Sequence, residues 1–114
     1  MASINKTLID ALSTIGSTSI PVFPDYYDGS AQEYIVFSYS RRPSFGADNY
    51  PYVLIYDINI DYVAPPKKNV LAIRDGIMAS IFSLLGTYPD ETNASTDTEQ
   101  HYVYEFELDG DVIL

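Results

Sequence analysis

Few side chains in this sequence are of types that do chemistry, and the single histidine, His101, stands on a predicted strand. A Ser-His-Asp catalytic site would have to use it, yet no Gly-x-Ser-x-Gly turn marks a nucleophile. Glu105 and Glu107 point to one side of the same strand about 7 Å apart, a carboxyl spacing found in inverting glycosidases. Any exposed strand with acids at alternate positions gives that spacing. We therefore predict that the chain is not an enzyme.

Three alternating oxygen ligands, Asp57, Asn59 and Asp61, resemble the start of a calcium-binding loop. Such a loop continues with glycine and ends on a bidentate acid, but Tyr62 and Lys68 stand at those positions. Alternation along one face of a strand explains the three residues better, although they could hold a hard cation weakly. The chain has no cysteine for a thiolate zinc site and no glycine-rich phosphate loop. We predict no metal and no cofactor, and leave open a weak cation site at these three residues.

Hydrophobic spacing indicates the elements that would position these residues. Apolar residues recur every three to four positions in two segments, which is typical of helices packed on one side. Apolar and polar residues alternate in three others, which is typical of strands. The predicted helices are 3–15 and 67–85, and the predicted strands are 33–40, 52–63 and 101–108.

The connecting segments complete the predicted fold. Two prolines keep the extended segment 20–24 at an edge of the sheet or outside it, and 112–114 is a possible short last strand. Turn-rich composition predicts loops at 25–32, 41–50 and 87–100. The order α-β-β-β-α-β predicts an α+β fold, with two helices on one face of an antiparallel, possibly mixed, sheet of about four strands.

The length and the termini indicate one ordinary domain, spanning residues 1–114. A chain of this size buries enough surface to fold without disulfides. No apolar run reaches the length of a membrane span, and the first residues lack the basic and apolar regions of a signal peptide.

The predicted sheet is apolar on both faces. If the helices cover the face that carries Ile35 and Tyr104, the opposite face still holds an apolar group. This group consists of Tyr34, Val36, Val53, Ile55 and Val103. A solvated face of an antiparallel sheet should be mostly polar, so the group indicates either a contact surface or a face covered by loops of the same chain. The eleven tyrosines are compatible with a contact surface, because protein interfaces favour this residue.

The predicted loop 41–50 carries the one cluster of basic and aromatic residues, formed by Arg41, Arg42, Phe45 and Tyr50. At about ten residues this loop is longer than a hairpin needs. We interpret the cluster as a docking site for an acidic surface of a neighbouring molecule. Two solvated arginines are the plainer alternative.

The net charge of −10 is unevenly distributed, because residues 88–114 hold eight acids and no lysine or arginine. Such a surface disfavours binding of nucleic acid by charge. We predict that an acidic group lines a channel or meets a partner: Glu99, Glu105, Glu107, Asp109 and Asp111. The alternative function is an acidic inhibitor that mimics DNA and blocks a nucleic-acid enzyme. Mimicry needs acids spread evenly over one long face, whereas these share the sheet with valine and tyrosine.

A family resemblance rests on the order of elements and on one segment. A first helix ends near Ile15, and Ile20-Pro21-Val22-Phe23 leads into Glu33-Tyr34-Ile35-Val36-Phe37. A long strand, 53–63, then runs into a helix that contains Ile73 and Ile77, and an acidic strand closes the chain. Over nearly its whole length the chain resembles the tail terminator, or tail completion, proteins of long-tailed bacteriophages.

The resemblance implies a structural protein of the virion neck, assembled in the host cytoplasm. Proteins of this family form a ring, typically a hexamer, that caps the tail tube, stops its growth and joins it to the head. The implied partners are further copies of the chain, the tail tube protein and the head completion or connector protein. Genomic DNA would pass through the ring without specific binding, and no membrane is involved. The family supplies no active-site residues. Arg41, Arg42 and the apolar sheet face are candidates for the closing interface that a ring requires.

Overall fold

The computed structural model describes residues 4–13, 20–25, 29, 32–43, 54–86 and 88–109. In chain order the elements are α1 (Ile4–Leu12), β1 (Val22–Pro24), β2 (Tyr34–Pro43), β3 (Leu54–Ala64), α2 (Leu71–Leu85), β4 (Asp90–Asn93) and β5 (Gln100–Asp109). The strands form one sheet in the order β1-β2-β3-β5-β4. β1 runs parallel to β2 and the other pairs are antiparallel. The α+β prediction, with a mixed sheet, is confirmed.

The core lies between the two helices and one face of the sheet, as the alternation predicted. Side chains of α1 and α2 such as Leu8, Leu12, Ile77 and Ile81 are completely buried. They belong to one cluster with alternate residues of the three long strands. The strand members of this cluster are Ile35, Phe37, Ile58, Ile60, Tyr62, Ala64, Tyr102, Tyr104, Phe106 and Leu108. Each aliphatic side chain buried in this way stabilises the fold by about 1.5–3 kcal/mol.

The sheet has five strands rather than about four, because part of the predicted loop 87–100 is a strand. β4 has the sequence Asp-Glu-Thr-Asn, in which three of four residue types disfavour strands. It pairs with β5 and forms one edge of the sheet. The opposite edge is β1, whose prolines predicted that position correctly. Backbone hydrogen bonds join it to β2, from Ile35 N to Pro21 O at 2.8 Å and from Asp25 N to Phe37 O at 2.7 Å.

The end of α2 agrees with the prediction, whereas its start differs. α2 begins at Leu71 rather than near residue 67, because a turn closed by Lys68 N and Pro65 O precedes it. It ends at Gly86, which adopts the expected left-handed conformation with φ 73°. α1 ends at Leu12, and the predicted end at Ile15 and Gly16 lies outside the described residues, as does 112–114. Within the described ranges, neither helix has the length and apolarity to cross a bilayer.

The hairpin of β2 and β3 projects beyond the helices. On the helix side of β2, Ile35 and Phe37 are fully buried, but Tyr39 is 37% exposed and Arg41 is exposed. β2 reaches Pro43, which pairs with Leu54, so the predicted loop 41–50 starts as strand. We call residues 40–43 and 54–57 the arm. The molecule extends 52 Å along its long axis and 26 and 25 Å across it.

Candidate functional site

The face of the sheet turned away from the helices, which we call the outer face, is half-buried along most of β2 and β3 and exposed beside β4. Val36, Asp61 and Val103 lie side by side on β2, β3 and β5 in one row. Ile55 lies six residues along β3 from Asp61, which is about 20 Å at the rise of a strand. All four side chains are half-buried. The predicted apolar group is therefore divided into two parts, and Val53 lies outside the described residues.

The far end of the outer face, away from the arm, is partly sheltered by the chain itself. Val63 is only 6% exposed and lies opposite the half-buried Tyr34. Both residues line a cleft of about 240 Å³ together with Thr98 and Glu99. The turn that contains Glu99 is fixed to β5 by a hydrogen bond from the His101 N–H to the Ser95 Oγ at 3.0 Å. Glu99 is thus at the opposite end of the outer face from Glu107.

The residues considered for chemistry are held in hydrogen bonds among themselves. His101 Nε2 lies 2.8 Å from Asp61 Oδ1, and Asn59 Nδ2 donates to Asp61 Oδ2 at 3.2 Å. Both oxygens of Asp61 therefore have partners within the sheet. Among the described residues no group of three or more His, Asp or Glu side chains is arranged to hold a metal ion.

Arg42 is engaged within its own chain. Its guanidinium donates to Asp57 Oδ2 at 3.1 Å and to Glu107 Oε1 at 2.7 Å. The hydrogen bond and charge of Asp57, followed by the charge of Glu107, raise the pKa of Arg42 above its usual value. Arg42 therefore crosses the outer face diagonally and binds two acids of its own sheet, whose combined charge it compensates by half.

Four carboxylates line a cleft of about 230 Å³ on the outer face, beside the edge strand β4: Asp57, Asp90, Glu105 and Glu107. Asp90 and Glu105 are direct cross-strand partners. Like charges in that position destabilise a sheet, and within the described ranges neither residue has an ion-pair partner. The predicted acidic group is therefore only partly assembled here, since Asp111 lies outside the described residues and Asp109 pairs with Ile55 on the arm.

Arg41 lies on the other side of the sheet from Arg42, since neighbouring strand residues point to opposite faces. It is exposed and pairs across the strands with Tyr56. The ring centroid of Tyr56 is 5.5 Å from that of Tyr39, at an interplanar angle of 57°. The arm therefore presents a small basic and aromatic surface on its helix side. Phe45 and Tyr50, the predicted aromatic members of this cluster, lie outside the described residues.

A partly exposed clamp between α2 and β4 positions the edge strand that supplies Asp90. Arg74 on α2 binds both oxygens of Glu91, with Nε to Oε2 at 3.1 Å and Nη2 to Oε1 at 2.6 Å. The Tyr104 hydroxyl donates to Glu91 Oε2 at 2.6 Å, and the Arg74 guanidinium lies 4.1 Å from the ring centroid of Tyr102. The hydrogen bonds from Arg74 are the largest influence on Glu91 and lower its pKa. Burial and the bond to Glu91 raise the pKa of Tyr104.

Sequence reasoning missed Asp90, Tyr39 and Tyr56 as site residues. Asp90 belongs to the predicted loop 87–100. A loop has no strand register, so the sequence did not place Asp90 beside Glu105. Tyr39 and Tyr56 alternate in phase with the buried Phe37 and Ile58, and the sequence pattern does not show where the helix layer ends. Extending the alternation of β2 by two residues would have separated Arg41 from Arg42.

Fold and surfaces together define a small α+β domain with one packed sheet face, one open face and a projecting arm. No family model matches the sequence, and no curated protein matches it. A solved structure with 11% sequence identity aligns over 93% of this chain and 92% of the other, with a TM-score of 0.64. At this identity the likeness shows that the fold is shared.

Proposed function

We propose that the chain is a structural virion protein of a long-tailed bacteriophage, which caps the tail tube, stops its elongation and joins it to the head connector. The observation that carries the proposal is the one-sided packing of a sheet whose outer face and arm extend beyond its own helices. Half-buried Val36, Ile55 and Val103 remain accessible on that face. A sheet face and an arm that the helices of the same chain do not cover form a surface suited to contact with another protein.

The shape also suits a ring. The helix side of the arm carries Arg41 and Tyr56, and the acidic cleft lies on the outer face beside β4, so the two surfaces are different patches. Contacts between different patches on successive copies are heterologous, and such contacts close into rings when the rotation permits. Further copies of the chain, the tail tube protein and the head connector are the proposed partners.

DNA mimicry is less well supported by the arrangement of charges. The acids of the outer face are interrupted by Arg42, which binds Asp57 and Glu107, and by His101, which binds Asp61. A surface that imitates phosphates needs uncompensated acids at regular intervals. The outer face instead mixes acids with Arg42, His101 and apolar side chains such as Val36 and Val103.

Light scattering over a range of protein concentrations and negative-stain microscopy test the proposal. The protein would be added to growing tail tubes of the same virus, with an unrelated acidic protein of similar size as the control. We expect closed rings in solution or at one end of each tube, and arrest of tube growth. Tubes that elongate at the control rate without density at their ends would refute it. A strict monomer that inhibits a nucleic-acid enzyme would support mimicry instead.

A further inference from the structure

Two of the basic side chains differ from the rest in having no carboxylate partner among the described residues. The chain has six lysines and arginines. Four of them form ion pairs: Lys6 with Asp10, Arg42 with Asp57 and Glu107, Lys68 with Glu33, and Arg74 with Glu91. The two others, Arg41 and Lys67, are exposed. In a chain with a net charge of −10, a cation that pairs with no acid of the described ranges is notable.

Arg41 has surroundings that Lys67 lacks. It lies on the arm opposite Tyr56, and the ring of Tyr39 lies beside that of Tyr56. Lys67 lies in the turn between β3 and α2. Arginine and tyrosine are the residue types that most often dominate the binding energy of protein interfaces. Arg41 is therefore the cation placed to dock.

Asp90 and Glu105 are the matching acids. They face each other across β4 and β5 without a cation between them. An arginine placed there would bind a carboxylate pair whose mutual repulsion is otherwise uncompensated. Arg41 of the same chain cannot reach them, because it points to the helix side of the sheet and they point to the outer side. Only another molecule can complete the pair.

We propose that the arm of one copy docks onto the outer face of the next, with Arg41 between Asp90 and Glu105 of that copy and Tyr39 packed beside the cleft. The inference rests on the proposed ring and names the contact that builds it. The two surfaces are different and lie on opposite faces of the sheet, so each copy offers one of each. The contact is heterologous and repeats from copy to copy.

The test compares self-association of the full chain and of two charge reversals with the same change in net charge. Arg41→Glu places like charges in the contact, and we expect association to weaken at least about tenfold. Lys67→Glu is the matched control and should associate like the wild type. Association should also weaken as sodium chloride is raised, since the contact is electrostatic. Circular dichroism and thermal unfolding show whether each variant is folded.

A charge swap provides the second arm of the test. Glu105→Arg should weaken association as Arg41→Glu does, and a mixture of the two variants should recover a mixed contact. Equal association of Arg41→Glu and Lys67→Glu, or a mixture without recovery, would overturn the docking inference while leaving the ring intact. Wild-type protein that forms open filaments would leave the contact standing and overturn the ring. Absence of association both in solution and on tail tubes would overturn both.

Discussion

Replacement of Glu91 by glutamine tests whether the clamp between α2 and β4 holds the edge of the sheet. Glu91 accepts hydrogen bonds from Arg74 and from the Tyr104 hydroxyl. Glutamine keeps the shape and one acceptor oxygen but removes the charge. The guanidinium of Arg74 would then lie against a neutral amide in a partly exposed site. β4 has no apolar side chain of its own, so the loss falls directly on its attachment.

The size of the effect follows from the burial of the pair. The side chains of Arg74 and Glu91 are 29% and 24% exposed. Exposed ion pairs contribute about 0–1 kcal/mol, whereas breaking a buried pair costs about 3–5 kcal/mol. The burial of the Arg74–Glu91 pair lies between those two cases, and the solvent that reaches the pair screens the attraction between its charges. We expect Glu91→Gln to lower the free energy of unfolding by about 1–2 kcal/mol at neutral pH.

The pH dependence gives the prediction its sharpest form. The hydrogen bonds from Arg74 lower the pKa of Glu91 in the folded protein, against an opposing effect of burial. The stability that this carboxylate contributes is therefore present above the pKa of an unfolded glutamate, about 4.3. It is lost as the pH falls through the lowered folded value, where wild-type Glu91 becomes protonated. The difference between wild type and Glu91→Gln should shrink over that range.

Urea unfolding followed by circular dichroism, at steps from pH 7 to pH 3, measures both quantities. Asp97→Asn is the control, because Asp97 is an exposed acid of the turn after β4 and makes no ion pair with a described residue. It should leave the unfolding free energy within about 0.5 kcal/mol of wild type. Equal stability of Glu91→Gln and wild type at pH 7, or a difference that stays constant to pH 3, would refute the reasoning.

Three further predictions concern the core, a helix end and buried phenols. Ile77→Ala should cost about 2–5 kcal/mol in urea unfolding, because Ile77 is fully buried between α2 and the sheet, and a loss below 1 kcal/mol would contradict that packing. Gly86→Ala should cost about 1 kcal/mol because of its φ of 73° alone, since a Cβ there meets no atom within 4 Å, and an unchanged melting temperature would contradict this. Burial, with help from a neighbouring glutamate, raises the pKa of Tyr62 and of Tyr104. The stability gained by keeping these phenols neutral is present below about pH 10 and lost as the pH rises above it. Ultraviolet absorbance should therefore show the two phenols ionising only as the protein unfolds. Ionisation of these phenols while the circular dichroism spectrum stays native would refute this prediction.

The sequence was sufficient for the long elements because their signal is local. Parts of β2, β3 and β5 alternate apolar and polar residues, and this alternation indicates which face meets the helices. The left-handed end of α2 was predictable because Gly86 directly follows an apolar helix. For these parts of the fold, local pattern and tertiary structure agree.

β4 was not predictable because its cause is not local. Its strand conformation depends on pairing with β5 and on Arg74, which lies seventeen residues away in sequence. The same limit applies to the site. The register of the strands decides which acids lie near each arginine. It therefore decides whether that arginine forms an ion pair within the chain or is available to a partner. Arg42 meets Asp57 and Glu107, while its neighbour Arg41 meets tyrosine.

The division of charges also explains why such a protein would assemble only at the right place. Three acids of the outer face, Asp57, Asp61 and Glu107, already have a partner within the chain. What remains for a neighbour is one exposed arginine, its tyrosines and two acids, and a single exposed ion pair contributes at most about 1 kcal/mol. One such contact is too weak to hold two copies together at low concentration. Several contacts made at once, in a closed ring or against the end of a tube, raise the effective concentration of each and become stable. Contacts that are weak one by one and stable only together are therefore what assembly controlled by a template requires.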